Sequence, residues 1–214
     1  MSARRYVATW LGALALMCAA AAACAQASVR SEVVRLDPPQ PVATGERIEV
    51  IEFFYYGCPI CYELEPQMMR WLATQAPAYV ALRRIPALSA DGWESLAKLY
   101  FTLEAVGAVS RLHWPVYDNY HFEGKRLDDE KLMLDWVAKN GVDRTQFAET
   151  YGSPEIQAKV AQARAYMKTY DVRGVPTIVV DGKYLSSARL AGGTKQLMQI
   201  VDELVREARS ERPK

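Results

Sequence analysis

The stretch "IEVIEFFYYGCPIC" (residues 48–61) joins an apolar run to two cysteines that lie one helical turn apart. Branched and aromatic side chains fill both alternating faces of the run, which predicts a strand over residues 47–56 that is covered on both sides. Pro59 suits the first turn of a helix, where its missing N–H has no intrahelical partner to lose. The sequence therefore predicts a buried strand that leads into a helix, with Cys58 at the helix start.

The two cysteines are predicted to differ in reactivity because they occupy different positions on this helix. Free N–H groups and the positive end of the helix dipole favour an anion at Cys58, which lowers the pKa of a thiol. Cys61 lies on the same face as Leu64, Met68 and Leu72 and should be shielded from solvent. We expect Cys58 to be the exposed sulfur and Cys61 its buried partner in a redox pair.

Two other interpretations of the pair are an inert crosslink and half of a metal site. A disulfide across so few residues closes a small ring and gains little from loop entropy. Zinc needs four ligands, or three and a water, and the chain offers only His113 and His121 as further candidates. Both histidines fall in the predicted helical region, where we expect ordinary surface or partly buried positions. The sequence therefore predicts no metal site.

The first 27 residues have the pattern of a secretory signal peptide. Arg4 and Arg5 precede an apolar run, and Ala25-Gln26-Ala27 places small residues before a cleavage point after Ala27. An uncleaved membrane anchor is the alternative, because the run is nearly long enough to span a bilayer. Its high alanine content favours cleavage, so we expect an exported periplasmic protein without a permanent membrane anchor.

Cleavage after Ala27 changes both the cysteine count and the charge. Cys18 and Cys24 leave with the signal peptide, so only Cys58 and Cys61 of the four cysteines remain. The mature chain keeps 24 basic and 25 acidic residues, a net charge of about −1. Without a basic excess to hold a phosphate backbone, no nucleic-acid partner is expected. Export also places the pair in an oxidising compartment, where disulfides persist.

The remaining pattern describes an α/β unit interrupted by helices. A second strand is predicted over residues 78–88, and a hairpin follows "VPTIVV" (175–180) at the turn signal Asp181-Gly182. Helical periodicity dominates between them, with one helical piece expected to break around Pro115. The predicted organisation is a signal peptide, a first part of the α/β domain, a helical insertion and a second part of the α/β domain, over residues 1–27, 28–90, 91–165 and 166–214.

Three features together resemble the DsbA family of periplasmic thiol:disulfide oxidases. They are "EFFYYGCPICYELEP", the helical block between the two halves of the α/β unit, and "RGVPT" late in the chain. The resemblance implies a thioredoxin-like α/β fold with an inserted α-helical domain. It also implies a protein disulfide oxidoreductase that acts through a Cys58–Cys61 disulfide, with no other cofactor.

The resemblance implies roles for the residues at the matching positions. Cys58 would form the mixed disulfide with substrate, and Cys61 would be the resolving partner. Val175-Pro176 would form a cis-proline loop against the cysteines, with the backbone of Val175 pairing with substrate. Glu52 matches a buried acid that shuttles protons for the buried thiol, and this role is favoured over the alternative of a strand whose face is solvated there.

Further positions are expected at or near the substrate. Tyr55, Tyr56 and Val175, with Pro59 and Ile60 beside them, are predicted to form a surface that receives unfolded chain. Glu65 matches a second acid of the family, on a helical turn expected to be exposed. The partners implied are unfolded or newly exported proteins that contain cysteines, and a quinone-linked membrane reoxidase resembling DsbB.

One position departs from the family pattern. Ile60 replaces the histidine that the better-known oxidases carry before the second cysteine, and isoleucine cannot stabilise a thiolate as an imidazolium can. A reductase or isomerase kept reduced by a membrane donor is therefore an alternative. A peptide-binding module with a static disulfide is the alternative outside enzyme chemistry.

Overall fold

The computed structural model describes residues 31–212. The predicted signal peptide and its cleavage point lie outside these residues. Among the residues described, no helix is long and apolar enough to cross a membrane.

Five strands form one mixed sheet with the order β1-β5-β4-β2-β3. They are β1 (Val34–Arg35), β2 (Ile48–Phe54), β3 (Val80–Pro86), β4 (Thr177–Val180) and β5 (Tyr184–Ser187). β2 pairs with β3 in parallel and with β4 antiparallel. Every residue of β2 is buried, as its doubly apolar sequence predicts. The strand ends at Phe54, two residues before the predicted end at residue 56.

The predicted hairpin is confirmed by the antiparallel pairing of β4 with β5. Asp181 and Gly182 connect the strands, with φ angles of 53° and 64°. Two successive residues with positive φ fit the right-handed twist of the flanking strands, which explains the Asp-Gly sequence. A Cβ atom on Gly182 would also lie 2.0 Å from the Gln40 carbonyl oxygen, so the lead-in packs against this turn.

Eight α-helices surround the sheet in the part of the chain that the structure describes. Helix α1 (Pro59–Thr74) follows β2, and α7 (Ala188–Ala191) and α8 (Thr194–Glu211) follow β5. Five helices lie between β3 and β4: α2 (Glu94–Ala105), α3 (Val109–His121), α4 (Glu130–Lys139), α5 (Arg144–Tyr151) and α6 (Pro154–Thr169). The predicted domain boundary after residue 165 falls inside α6.

Helix α3 is continuous through Pro115, so the predicted break at this residue is wrong. A proline removes one backbone hydrogen bond and usually bends or ends a helix. Here Leu112 and Val116, on either side of the proline, are both buried in the core. Packing of these apolar side chains holds the helix together across the missing bond.

The two faces of the sheet carry different helices. Helices α1 and α8 pack on one face against Ile48, Val50 and Ile178, while the inserted helices cover the other face against Ile51 and Phe53. This sandwich fixes the direction of α1, whose amino end begins just beyond the carboxyl end of β2. The cysteines therefore lie at one edge of the sheet.

The end of the chain is tied back to the lead-in. Arg212 follows α8, and its guanidinium donates to the Asp181 carboxylate, to the Gly45 carbonyl oxygen at 2.9 Å and to the Arg47 carbonyl oxygen at 3.1 Å. One side chain thus connects the hairpin turn, the lead-in and the last helix.

Candidate active site

Cys58 occupies the N-cap of α1, and both cysteines are free thiols in this structure. Its sulfur accepts a hydrogen bond from the Cys61 backbone N–H, with Sγ and N 3.3 Å apart. A polar N-cap side chain satisfies an N–H group that the helix itself leaves unpaired. Cys58 is partly exposed whereas Cys61 is fully buried, which confirms the predicted difference in exposure.

The two sulfurs differ strongly in acidity. The pKa of Cys58 falls from its ordinary value of 9.0 to about 7. A hydrogen bond from the Cys61 thiol is the main cause; burial opposes it, and the N–H groups of Cys61 and Ile60 add to it. The pKa of Cys61 is raised, first by burial and then by its interactions with Cys58. Near neutral pH the accessible Cys58 is therefore about half ionised, whereas the buried Cys61 stays a thiol.

The loop before β4 closes over the cysteines, as predicted. The Val175–Pro176 peptide bond is cis, which confirms the predicted isomer. The Cys58 thiol lies 3.6 Å from the Val175 carbonyl oxygen and donates to it. Val175 is partly exposed and Pro176 is buried. An extended chain that reached Cys58 would therefore pass directly over the backbone of Val175.

Only some of the residues predicted to form a substrate surface are exposed to solvent. Pro59 and Ile60 are exposed beside Cys58, with 42% of Ile60 accessible to solvent. Tyr55 is partly buried and stacks on Trp93 with ring centroids 3.9 Å apart. Tyr56 is only 1% exposed, so its predicted place on this surface is wrong.

The orientation of Tyr56 has a simple physical reason. β2 ends at Phe54, and the chain turns so that the Tyr56 side chain packs edge-on against Phe54 and Tyr117. Its hydroxyl lies 2.8 Å from Nδ1 of the buried His113. A buried tyrosine hydroxyl needs such a partner, and strand alternation in the sequence gives no sign of it.

Glu52 is fully buried beneath the cysteines, as predicted, and it has a partner that the sequence reasoning missed. Arg84 Nε donates to Glu52 Oε2 at 3.0 Å. Burial raises the pKa of Glu52 to about 7, against the opposing charge of Arg84. Glu52 and Arg84 are paired in the parallel β2–β3 register. The sequence signal for this contact was an acid and a base at matching positions of the two predicted strands.

Two further residues lie elsewhere than predicted. Glu65 is 2% exposed rather than on an exposed turn, because Arg84 Nη2 donates to both of its carboxylate oxygens at 2.8 and 3.0 Å. His113 is 5% exposed rather than at the surface, and its Nε2 lies 3.5 Å from Glu65 Oε2. An arginine pointing inward from β3 draws both polar groups into the interior.

No group of three or more potential metal ligands occurs within the described range 31–212. His113 is engaged with Tyr56 and Glu65, and His121 Nε2 lies 2.7 Å from the Tyr56 carbonyl oxygen. The thiols of Cys58 and Cys61 have hydrogen-bond partners in the protein itself.

Comparison with known proteins gives a consistent answer. A family model for the DSBA-like thioredoxin domain matches residues 49–205. A thiol:disulfide interchange protein DsbA from Azotobacter vinelandii is 36% identical over 186 residues, covering 87% of this chain and 86% of that protein. The corresponding protein from Pseudomonas syringae pv. tomato is 38% identical and covers 84% of this chain and 83% of its own length.

The fold agrees with the sequence comparison. The crystal structure of Pseudomonas aeruginosa DsbA superposes with a TM-score of 0.78 at 37% identity, covering 84% of this chain and 93% of that one. The family-model match over residues 49–205 includes the inserted helices and the cysteine pair at the start of α1. The chain therefore belongs to the DsbA family, as a thiol:disulfide oxidoreductase with the thioredoxin-like fold and its helical insertion.

Proposed function

We propose that this protein introduces disulfide bonds into newly exported proteins by exchange at Cys58 and Cys61. The observation that carries the proposal is the unequal pair of thiols, with a pKa of about 7 at Cys58 and a raised pKa at the buried Cys61. A sulfur that is stable as a thiolate is a good leaving group. Disulfide transfer to a substrate ends with the departure of Cys58.

The first step begins from the oxidised pair. A substrate thiolate attacks Cys58 Sγ, the accessible sulfur, and the bond between Cys58 and Cys61 breaks as the mixed disulfide forms. Cys61 leaves with the electron pair and takes up a proton, because its buried anion is unfavourable. Glu52 is close enough to act on the charge of Cys61, and with a pKa of about 7 it can supply that proton.

The second step releases the product. A second substrate thiolate attacks the substrate sulfur of the mixed disulfide, and Cys58 departs as a thiolate held at the start of α1. The substrate has lost two electrons to the cysteine pair, which is now reduced. No bound cofactor is required, because the two sulfurs carry both electrons. Reoxidation then needs an external acceptor, for which we propose a quinone-linked membrane protein resembling DsbB.

Substrate binding is proposed at the rim formed by Pro59, Ile60, Val175 and the stacked Tyr55. These groups are exposed or partly exposed around Cys58, and they are mostly apolar. An unfolded chain offers both apolar side chains and unpaired backbone groups. The backbone of Val175 can pair with the unpaired backbone groups of such a chain, as neighbouring strands do in a sheet.

Catalysed oxidation of a reduced, unfolded protein with several cysteines tests the proposal. In a glutathione redox buffer that supplies the oxidant, Cys58→Ser should abolish the reaction, whereas Cys61→Ser should accumulate a mixed disulfide that a denaturing non-reducing gel detects. The conservative variant Ser110→Ala, at a site outside the cysteine region, is prepared and assayed in the same way as a control and should keep full activity. Full activity in Cys58→Ser would exclude exchange at this pair, and absence of catalysed oxidation by the unmodified protein would favour a binding module with a static disulfide.

The opposite direction of exchange remains a second candidate because Ile60 supplies no cation beside the thiolate. A reductase or isomerase would be kept reduced by a membrane donor. Equilibration with glutathione buffers separates the two: an oxidase needs a disulfide that is readily reduced by the glutathione pool. A potential as low as that of thioredoxin would contradict the oxidase proposal.

Export to the periplasm is proposed with cleavage after Ala27. Amino-terminal sequencing of the protein from the periplasmic fraction should begin at Ser28. Recovery of the intact chain in the membrane fraction would instead indicate an anchor.

A further inference from the structure

A buried polar cluster lies under the redox pair and gathers side chains from four elements. Glu52 comes from β2, Glu65 from α1, Arg84 from β3 and His113 from α3. Glu52, Glu65 and His113 are each at most 5% exposed. Only Glu52 has an obvious task in disulfide exchange, which leaves the purpose of the buried histidine to be explained.

The two carboxylates share one guanidinium unequally. Arg84 Nη2 contacts both oxygens of Glu65, at 2.8 and 3.0 Å, whereas Arg84 Nε reaches only Oε2 of Glu52, at 3.0 Å. Oε1 of Glu52 is buried and has no hydrogen-bond partner among the described residues. Two carboxylates and one guanidinium leave one negative charge uncompensated, so the pair tends to hold a single proton.

His113 lies at the Glu65 end of this arrangement. Its Nδ1 is 2.8 Å from the Tyr56 hydroxyl. Its Nε2 is buried and makes no hydrogen bond to the described residues, but it faces Glu65 Oε2 at 3.5 Å, within ion-pair distance. If the hydroxyl donates to Nδ1, the proton of the neutral ring is on Nε2 and faces the carboxylate. The reverse tautomer would turn a lone pair toward a carboxylate. The hydrogen-bond pattern therefore assigns the Nε2–H tautomer.

The surroundings of His113 favour the neutral ring. The charged groups that face it are Glu65 from α1 and Arg84 from β3. The ionisable phenols packed on its ring are those of Tyr56, which follows β2, Tyr100 of α2 and Tyr117 of α3 itself. Burial is the main cause that lowers the pKa of His113, and Arg84 adds to it while Glu65 opposes.

We propose that His113 is a positioning residue that decides which of the two buried carboxylates holds their shared proton. Its Nε2–H supports Glu65 as the anion, and Arg84 binds that anion with both contacts. The proton is thereby left on Glu52, the acid beside Cys61. Without His113, Glu65 competes for the proton and Arg84 turns further toward Glu52.

The acidities of the two acids agree with this geometry. Burial acts to raise the pKa of Glu65, but the interaction with His113 and the charge of Arg84 outweigh it and lower the pKa. The pKa of Glu52 is raised by burial, and the negative charge of Glu65 adds to the effect. Placing the shared proton on Glu52 matters for catalysis only through the proposed role of Glu52 as proton donor to Cys61.

Carboxyl carbon NMR of the reduced protein without substrate tests the proposal. The Glu52 and Glu65 signals are assigned with Glu52→Gln and Glu65→Gln and followed through a pH titration. His113→Phe keeps a ring of similar size in the aromatic cluster but has no N–H. We expect the Glu52 midpoint to fall by about one pH unit, a tenfold loss of proton affinity, and the Glu65 midpoint to rise.

Matched controls make the result specific. His121→Phe makes the same chemical change at the other histidine, outside this cluster, and should leave the Glu52 midpoint unchanged. His113→Gln restores an N–H donor and should recover part of the shift. The double variant Tyr56→Phe/His113→Phe removes the hydroxyl that His113→Phe leaves unpaired, and should show the same lowered midpoint. An unchanged Glu52 midpoint in a folded His113→Phe or double variant overturns the proposal.

A measurement on the unmodified protein covers the case in which these variants do not fold. Imidazole nitrogen shifts distinguish the tautomers, and the chain contains only two histidines. The Nε2–H tautomer is expected for His113 near neutral pH, and an Nδ1–H ring or an imidazolium would overturn the proposal. Exchange activity is measured separately, so failure of the catalytic proposal would not be mistaken for failure of this one.

Discussion

Cys58 and Cys61 have the same side chain, and their different acidities come from position alone. Cys58 receives hydrogen bonds from the Cys61 thiol and from backbone N–H groups at the start of α1, whereas Cys61 is enclosed by the core. Hydrogen bonds to an anion lower the pKa of an acid, and burial raises it. The geometry therefore determines which sulfur meets the substrate and which one stays protonated.

A thiolate titration of the reduced protein should show a single step with a midpoint near 7. Ultraviolet thiolate absorbance measures it, and Cys58→Ser should remove the step whereas Cys61→Ser should keep a step at Cys58. In Cys61→Ala the midpoint should rise, because the main hydrogen bond to Cys58 comes from the Cys61 thiol and alanine has no donor to replace it. A midpoint near the free-cysteine value of about 8.5 would contradict the assigned geometry.

Glu52→Gln should change how the stability of the protein depends on pH. The folded-state pKa of Glu52 is raised from 4.5 to about 7, so its contribution is fully present below 4.5 and is lost as pH rises through 7. Relative to Glu52→Gln, the unmodified protein should lose roughly 3 kcal/mol of unfolding free energy across this window.

Urea unfolding of the reduced proteins at a series of pH values measures the difference. The exposed Glu155 provides a control, since Glu155→Gln should follow the unmodified protein throughout. Parallel stability curves for Glu52→Gln and the unmodified protein would show that Glu52 ionises normally.

At the scale of elements, the important unit is β2 followed by α1. The strand is buried along its whole length and the helix starts four residues after it ends, so the N-cap position is fixed by the core. Ile60, in the first turn, is 42% exposed and contributes only its backbone N–H to the thiolate. A side chain at this position can be changed without disturbing the core.

Ile60→His should make the disulfide more oxidising. A partly protonated imidazole at the helix start adds a positive charge beside Cys58, which lowers the pKa of the thiol and stabilises the reduced form. A one-unit fall in this pKa would correspond to about 1.4 kcal/mol in favour of the thiolate. Glutathione equilibration measures the potential, with Ile60→Leu as the uncharged control. Equal potentials for the two variants would mean that side-chain charge at residue 60 does not reach the sulfur.

The order of elements could be predicted from sequence because it depends on local signals. The buried pattern of β2, the proline at the start of α1 and the Asp181-Gly182 turn each constrain the backbone by themselves. The positions of Tyr56, Glu65 and His113 could not be predicted in this way. They depend on contacts between segments distant in sequence, in particular on one arginine of β3 that points into the interior.

At the scale of the whole molecule, the redox state is coupled to folding stability. The thiolate of Cys58 exists only in the reduced protein, and it is stabilised only when the start of α1 is in place. Because the two cysteines lie so close in sequence, the disulfide itself restrains the unfolded chain little. The free energy by which the thiolate stabilises the folded, reduced protein is therefore the same free energy that favours reduction of the disulfide. It drives disulfide transfer to a substrate.

The stability gap between reduced and oxidised protein should therefore depend on pH. The pKa of Cys58 is lowered from 9.0 to about 7, so its contribution is complete above 9.0 and is lost as pH falls through 7. The raised pKa of Cys61 affects stability only above its ordinary value of 9.0, so Cys61 does not contribute between about pH 6 and 8. Thermal unfolding of the two forms should show reduced-minus-oxidised stability increasing with pH over this range. A constant difference would contradict the prediction.

The guanidinium of Arg212 joins the last helix to the hairpin turn and to the carbonyl groups of Gly45 and Arg47. Tolerance of a chain end to shortening depends on the bonds its residues make, not on how near the end they are. Chains shortened to end before this arginine should consequently melt at a lower temperature, while affinity tags appended after Lys214 should be harmless. A purification handle therefore belongs at the carboxyl terminus only if the native tail is kept in full.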